Sequence, residues 1–458
     1  MAAPRRSREG RGPAGVTVAF DVDPSVAADP GSADNQRIMD IERGTLGVRS
    51  LRPSHPLRAG LDLIALALVA FYLAVFVACN VWVQGDMRSY WIAARCALAG
   101  FDPYRPGNLD AMAGTATAAF VYPPITLVPF SLLAQLPFAA AAGVWIGIKI
   151  ALLAVLVVTW RGWLAPRDRV LLPLSLVAVF GWNGAALWDL GCGNVALIEC
   201  VLLWLAFGCF VAGHRPAFGA LVVAASCFKL MPAAFLLLLL VPTGKNASNP
   251  VRVLASVLLL SALVLGPVAV GPAAQWDRFF EHLPSASTLG ESNLGGLAFA
   301  TVVAQDAGLT EPMASRTAVL AWLAFGAGLV GLSLPFLRGA WQARDPRRWV
   351  MCAVFLYVLV APRPMAYGFL LLAPAPLFFS PRPFHGPLGR LALAVALSAQ
   401  GFARSAHFET HAVAYLYAPF LLTLGIWLLV VGGESMWGGA RSSDTPSQER
   451  EREHDAAA

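Results

Sequence analysis

The chain has 458 residues, of which 57% are hydrophobic and 13% charged, with a mean hydropathy of +0.64 and a formal net charge of +6. A soluble domain carries about 25% charged residues, so a soluble enzyme, a nucleic-acid binder and a secreted disulfide scaffold all fit poorly. A polytopic, all-α membrane protein is expected instead. Of the charged residues, 24 lie in two tails, 1–56 and 433–458, so the positive balance reads as topology rather than as affinity for nucleic acid. Lysine is rare (Lys149, Lys229 and Lys245) beside 30 arginines; with so much alanine, this points to a GC-rich bacterial genome. The seven cysteines have no CxxC or CxxH spacing, and neither metal nor disulfide is expected of them.

Residues 1–56 are rich in Arg, Asp, Gly, Pro and Ser and lack hydrophobic periodicity, as expected of a disordered cytoplasmic tail. The first apolar run, 61–83, is long enough to span, which argues against a cleaved signal peptide. A spanning helix needs about 20 apolar residues. Further runs lie at 140–160, 170–187, 195–212, 252–270, 317–337, 388–403 and 412–432. Two stretches are interrupted: 217–241 at Phe228-Lys229-Leu230-Met231-Pro232, and 350–379 at Pro362-Arg363-Pro364. Each is either one kinked span or a hairpin of two short helices.

Positive charge decides between them. With both stretches as hairpins there are about twelve helices and both tails are cytoplasmic. The inner loops then hold 12 Lys/Arg in 48 residues, and the outer segments (84–139, 187–194, 229–232, 271–316, 362–367 and 403–411) hold 8 in 129. Single kinked spans would place Arg344, Arg347 and Arg348 outside, against the rule. Broken helices are tolerated only where the freed backbone faces protein or a water-filled cavity, so both breaks point to an outer cavity. The chain divides into a tail, 1–56, a transmembrane domain, 57–432, and a second disordered tail, 433–458.

The first outer segment opens Gly85-Asp86-Met87-Arg88, and a helix is expected over 87–99, stopped by Gly100. Asp86 stands where an N-cap would, able to accept from the amides of Arg88 or Ser89; the cap is the first reading and a catalytic carboxylate the second, and the two are not exclusive. Phe101-Asp102-Pro103-Tyr104 reads as a turn. The apolar stretch 125–138 is too short to span, and interfacial helices lying on the membrane are expected here. The second long outer loop, 271–316, carries Trp276-Asp277-Arg278-Phe279-Phe280-Glu281-His282 and Glu291-Ser292-Asn293-Leu294.

Three ionisable residues interrupt apolar runs, Lys149, Glu199 and Lys229, and such residues are functional candidates by default. Lys229 lies at a helix break, where its ammonium could hold a lipid-linked phosphate or simply snorkel to the interface. Lys149 reads as a snorkelling residue, and Glu199 needs a cation that the sequence does not name. His407 and His411 share a helical face, but two ligands do not make a zinc site.

An Asp after the first helix is followed by AlaGlyPheAspProTyr (99–104), PheValTyrProPro (120–124), GlyAsnValAla (193–196), LysLeuMetPro (229–232), GluSerAsnLeu (291–294) and ProArgProMetAlaTyrGly (362–368). In this order the motifs resemble glycosyltransferase family 87, polyprenyl-phosphate-dependent transferases of GT-C type that include α-mannosyl- and arabinofuranosyltransferases. The resemblance spans roughly 60–430; Cys192 departs from it, standing where a Gln is expected beside Gly193 and Asn194. It implies an inverting enzyme of a bacterial plasma membrane, acting outside the cytoplasm, that moves a sugar from a polyprenyl-phosphate donor to a glycolipid or polysaccharide acceptor. Mannose is the first expectation and arabinofuranose the second. By this resemblance Asp86 is the general base, Lys229, Arg88 and Arg363 hold the donor phosphate, and Tyr104, Tyr122, Asn194 and Asn293 hold sugars. It implies no cofactor and no metal. A transporter or flippase of lipid-linked precursors, or a non-catalytic scaffold, are the competing readings; a transporter would be expected to repeat itself between halves, and no repeat is visible.

Overall fold

The structure is a computed structural model describing residues 84–117, 119–160, 185–241, 273–282, 293–372 and 417–432, with scattered positions between 67 and 79 and residue 258. The two tails, the run at 252–270 apart from residue 258, the run at 388–403, Glu291, His407 and His411 lie outside the described residues. Described positions fall in one compact unit, Gly60–Ala458. They are helical, and no strand occurs among them, only one isolated bridge between Asn293 and Met365.

In chain order the elements are α1 (Gly85–Leu98), α2 (Pro106–Ala113), a 3-10 turn (Pro124–Thr126), α3 (Leu127–Leu133), α4 (Phe138–Thr159), α5 (Ala185–Cys192), α6 (Ala196–Val211) and α7 (Arg215–Ser226). A 3-10 helix (Met231–Leu240), α8 (Ala273–His282), α9 (Gly296–Asp306), α10 (Glu311–Gln342), α11 (Pro346–Val360), a second 3-10 helix (Ala366–Leu371) and α12 (Ala418–Trp427) follow. Two of them, α4 and α10, are long and apolar enough to cross a membrane. At 1.5 Å per residue, α4 spans about 33 Å and α10 about 48 Å, so α10 outruns a hydrocarbon core of about 30 Å. The stretch 125–138, expected to be too short to span, holds a short apolar helix over Pro124–Leu133, and α4 already begins at Phe138.

The break in 217–241 is a reversal. Arg215, at the start of α7, donates to the carbonyls of Leu239 (3.3 Å) and Val241 (2.6 Å), at the far end of the 3-10 helix. The run therefore doubles back at Phe228–Leu230, as Pro232 and the charged Lys229 require. Ten residues of 3-10 geometry are unusual, since such runs rarely exceed a single turn. The arginine-rich corner between α10 and α11 is also built locally: Arg344 takes a left-handed φ of 50°, and Asp345 caps α11 by accepting from the Arg347 amide at 3.0 Å.

Two buried clusters organise the packing. The larger joins α4, α5, α6, α7, α11 and α12 around Trp204, Phe207 and Phe355. The smaller is an aromatic layer in which α1, α3 and α8 pack around Tyr90, Tyr104, Phe120, Phe130 and Phe279. Trp276 and Phe279 of α8 supply its outer wall, with Phe279 5.9 Å from the Tyr104 ring.

Lys149 does not snorkel. Its ammonium is fully buried and reaches Asp189 of α5, 2.7 Å from Oδ2 and 2.5 Å from the backbone oxygen. Removing one partner of a fully buried pair leaves an uncompensated charge and costs about 3–5 kcal/mol. Lys149→Met is therefore expected to lower the melting temperature in lipid steeply, and Asp189→Asn on top of it to restore most of the loss. An unchanged melting temperature in Lys149→Met would contradict this.

Candidate active site

At the seam between the two clusters, segments distant in sequence meet. The last turn of α5 and the turn after it are drawn onto α1 and α4: Gln84 Nε2 donates to the carbonyls of Leu190 (2.6 Å) and Gly191 (3.2 Å), and Trp145 Nε1 donates to that of Gly193 (2.8 Å). Gly193 sits at φ +78°, and a Cβ there would lie 2.6 Å from Gln84 Oε1 and 2.7 Å from Met87 Cβ. Only glycine lets this turn close against α1. The closure brings Asn194 to Asp86.

Asp86 is not the cap of α1. Gln84 holds the N-cap position without a side-chain cap bond, and Asp86 lies in the first turn. Its Oδ2 accepts from Asn194 Nδ2 at 2.7 Å. The same nitrogen lies 2.8 Å from the Tyr122 hydroxyl and 2.9 Å from that of Tyr367, while Asn194 Oδ1 accepts from the Ala196 amide at 3.0 Å. Burial pushes the Asp86 carboxyl above the usual carboxylate range, against the opposing pull of the Asn194 bond and of the charges on Lys229, Lys149 and Arg363. Burial likewise raises the Tyr122 hydroxyl, helped by the charge of Asp86.

Beside this carboxylate lies a cation. Lys229, in the reversal between α7 and the 3-10 helix, pairs with Glu199 Oε2 at 3.0 Å and stands 5.1 Å from the centre of the Tyr367 ring. Glu199 Oε1 accepts from the Tyr357 hydroxyl at 2.8 Å. Tyr367 thus touches both ends of the site, its hydroxyl on Asn194 and its ring under Lys229.

The other expected site residues divide. Arg363 is exposed, and its charge reaches Asp86. Arg88 is exposed on α1, next to the inward-facing Met87. Tyr104 is buried, and its hydroxyl donates to the Tyr122 carbonyl at 2.7 Å. Asn293 is also buried: its Oδ1 accepts from Gly295 (3.0 Å) and its Nδ2 donates to the Pro362 carbonyl (3.3 Å). With Leu294 donating to the Pro364 carbonyl at 3.0 Å, it moulds the segment that carries Arg363 and Tyr367. Asp189, Tyr357 and Tyr367 are site residues that sequence reasoning missed, although Tyr367 lies inside a motif it singled out. Among the described residues no group of three His, Cys, Asp or Glu is placed to hold a metal ion.

A helical chain with helices of bilayer length, and with a carboxylate, an amide and cations gathered where its helices break, has the build of a membrane enzyme. Residues 120–362, just over half of the chain, match the model of glycosyltransferase family 87, and the chain belongs to that family. It is a glycosyltransferase, with a sugar donor and an acceptor as its substrates. The matched region includes Tyr122, Asn194, Glu199 and Lys229; Asp86, Arg363 and Tyr367 fall outside it. No curated protein and no solved structure matches the chain.

Proposed function

We propose that this glycosyltransferase is a multi-pass plasma-membrane enzyme of about twelve helices, with both tails cytoplasmic, that transfers mannose from a polyprenyl-phosphate donor to a glycolipid or polysaccharide acceptor on the outer side. The observation that carries the reading is the half-buried Asp86 carboxylate, held by Asn194 beside the Lys229 ammonium. Four segments that charge counting assigns to one side of the membrane, 84–139, 187–194, 229–232 and 362–367, all contribute to this cluster, which favours the outer face.

In the proposed reaction Asp86 takes the proton of the acceptor hydroxyl. The freed oxygen forms the bond to the anomeric carbon as the bond from that carbon to the phosphate oxygen breaks, inverting the centre. The electron pair leaves with the polyprenyl phosphate, where negative charge grows, and Lys229 and Arg363 stabilise it there, with Arg88 at the rim. A base raised towards the working pH serves this step better than an ordinary carboxylate.

The test is sugar transfer by the purified protein in lipid, with polyprenyl-phosphate-mannose and a mannoside acceptor. Product with an inverted anomeric centre is expected. Transfer only from the arabinofuranosyl phosphate lipid would replace the sugar and keep the mechanism. Transfer from neither lipid donor, in protein shown to be folded, would overturn the donor class.

A further inference from the structure

We propose that Asn194 is a positioning residue for the reaction, fixing the direction of the Asp86 carboxylate through one amide hydrogen, rather than a residue that holds a sugar. The inference rests on Asp86 acting as the base.

The first observation is burial. Asn194 has 0% of its surface exposed, so its amide lies behind the site and not in it. The second is the orientation of the amide. Oδ1 accepts from the Ala196 backbone N–H, which leaves Nδ2 facing the cluster. The third is saturation. An amide nitrogen has two hydrogens, and Nδ2 faces three oxygens: Asp86 Oδ2 (2.7 Å), the Tyr122 hydroxyl (2.8 Å) and the Tyr367 hydroxyl (2.9 Å). The carboxylate is the nearest and the only charged acceptor, and charge-assisted bonds are the stronger kind. It keeps one hydrogen, the two phenols share the other, and none remains for substrate.

Position follows from the anchors. Asn194 is tied to the first turn of α6, Asp86 belongs to the first turn of α1, and Gly193 lets the two approach. The bond between them orients a carboxylate that would otherwise rotate about its side-chain bonds. It also favours the ionised base, so its loss should raise the pH at which the base protonates. The groups facing Asp86 are Lys229, Arg363 and the Lys149–Asp189 pair, with the phenols of Tyr90, Tyr122 and Tyr367. Burial raises all three phenols, so they keep their protons through the neutral range. The two lysines are each held by a carboxylate, so the bond from Asn194 is the contribution that substitution isolates.

A competing role is that Asn194, just before the Val195 N-cap, merely secures the start of α6 by accepting from the Ala196 amide. Asn194→Asp separates the two, because Asp caps as well as Asn yet sets a second carboxylate against the base. Wild type, Asn194→Ala, Asn194→Asp and Asp86→Asn are compared for transfer from polyprenyl-phosphate-mannose to a mannoside, with kcat, donor and acceptor KM, the pH profile and the melting temperature. Asn194→Asp should melt below wild type, because it buries a second carboxylate against Asp86, lose about 10²-fold or more in kcat, of the order that general-base catalysis contributes, and move its acid limb upward. Asn194→Ala should move the limb the same way by less, with both KM values within about threefold. Asn194→Asp with wild-type kcat and limb, beside a destabilised Asn194→Ala, would mean a cap only and overturn the inference. So would a raised KM with kcat unmoved, which marks a sugar contact. If Asp86→Asn is inactive and the limb of Asn194→Asp stays in place, this inference fails and the base assignment stands. If Asp86→Asn turns over at the wild-type rate, both fail.

Discussion

Asp86→Asn is expected to lower sugar transfer by about 10²–10⁴-fold, the contribution of a positioned general base, while the protein stays folded. Asparagine is nearly isosteric and presents a carbonyl oxygen to Asn194 Nδ2, so the 2.7 Å contact that orients the side chain can survive. It cannot take a proton. Since burial disfavours the charged form of Asp86, a neutral amide should leave the melting temperature unchanged or higher. The pH profile supplies a second readout. A base works only when deprotonated, so wild-type kcat/KM should fall as pH drops through its pKa. Burial raises that pKa, which puts the acid limb above the ordinary aspartate value of about 3.9. The residual activity of Asp86→Asn should lack this limb. Wild-type rates in the variant would remove Asp86 from the chemistry and turn attention to the other acidic residues of the outer loops, such as Asp102 and Glu281.

Much of this site was legible because charge is costly in an apolar chain. Asp86, Glu199 and Lys229 stand out as ionisable residues beside or within apolar runs, and the structure places all three near one another. The reversal at Lys229 was legible because a single kinked span there would place Arg344, Arg347 and Arg348 on the outer side. What escaped was pairing across sequence. Lys149 and Asp189 are 40 positions apart, and Asp189 lies in a short segment whose periodicity says nothing about α4. Glu199 finds its cation 30 positions away for the same reason. The cap reading of Asp86 failed because α1 begins at Gly85, two positions earlier than the pattern predicts, so the carboxylate turns to Asn194 instead of its own helix. Tyr104 and Asn293 are singled out as sugar ligands by type; each donates to a backbone carbonyl, Tyr122 and Pro362. Those bonds tie down the segments that carry Tyr122, Arg363 and Tyr367.

The second large effect is expected at Lys229, where stability and chemistry separate. Lys229→Met leaves Glu199 without its cation in a site where the two side chains keep only 24% and 10% of their exposure. An unpaired, mostly buried carboxylate is destabilising, by about 1–3 kcal/mol at this partial exposure, so the melting temperature should fall. Transfer should fall by about 10²–10³-fold, the loss typical when one donor to a developing negative charge is removed. Glu199→Gln in the same chain removes the orphan charge, and Gln can still accept from the Tyr357 hydroxyl that now bonds Glu199 at 2.8 Å. The double variant should therefore melt close to wild type and remain as inactive as Lys229→Met. Glu199→Gln alone loosens the hold on the ammonium but leaves it in the site, with the Tyr367 ring 5.1 Å away still to attract it, and should retain far more activity than either. If the double variant recovers transfer along with its melting temperature, Lys229 serves the fold and the phosphate is held elsewhere, with Arg363 the next cation to replace. If stability returns and transfer does not, the ammonium acts on the leaving phosphate, and Glu199 serves to hold it on Tyr367, within reach of the base.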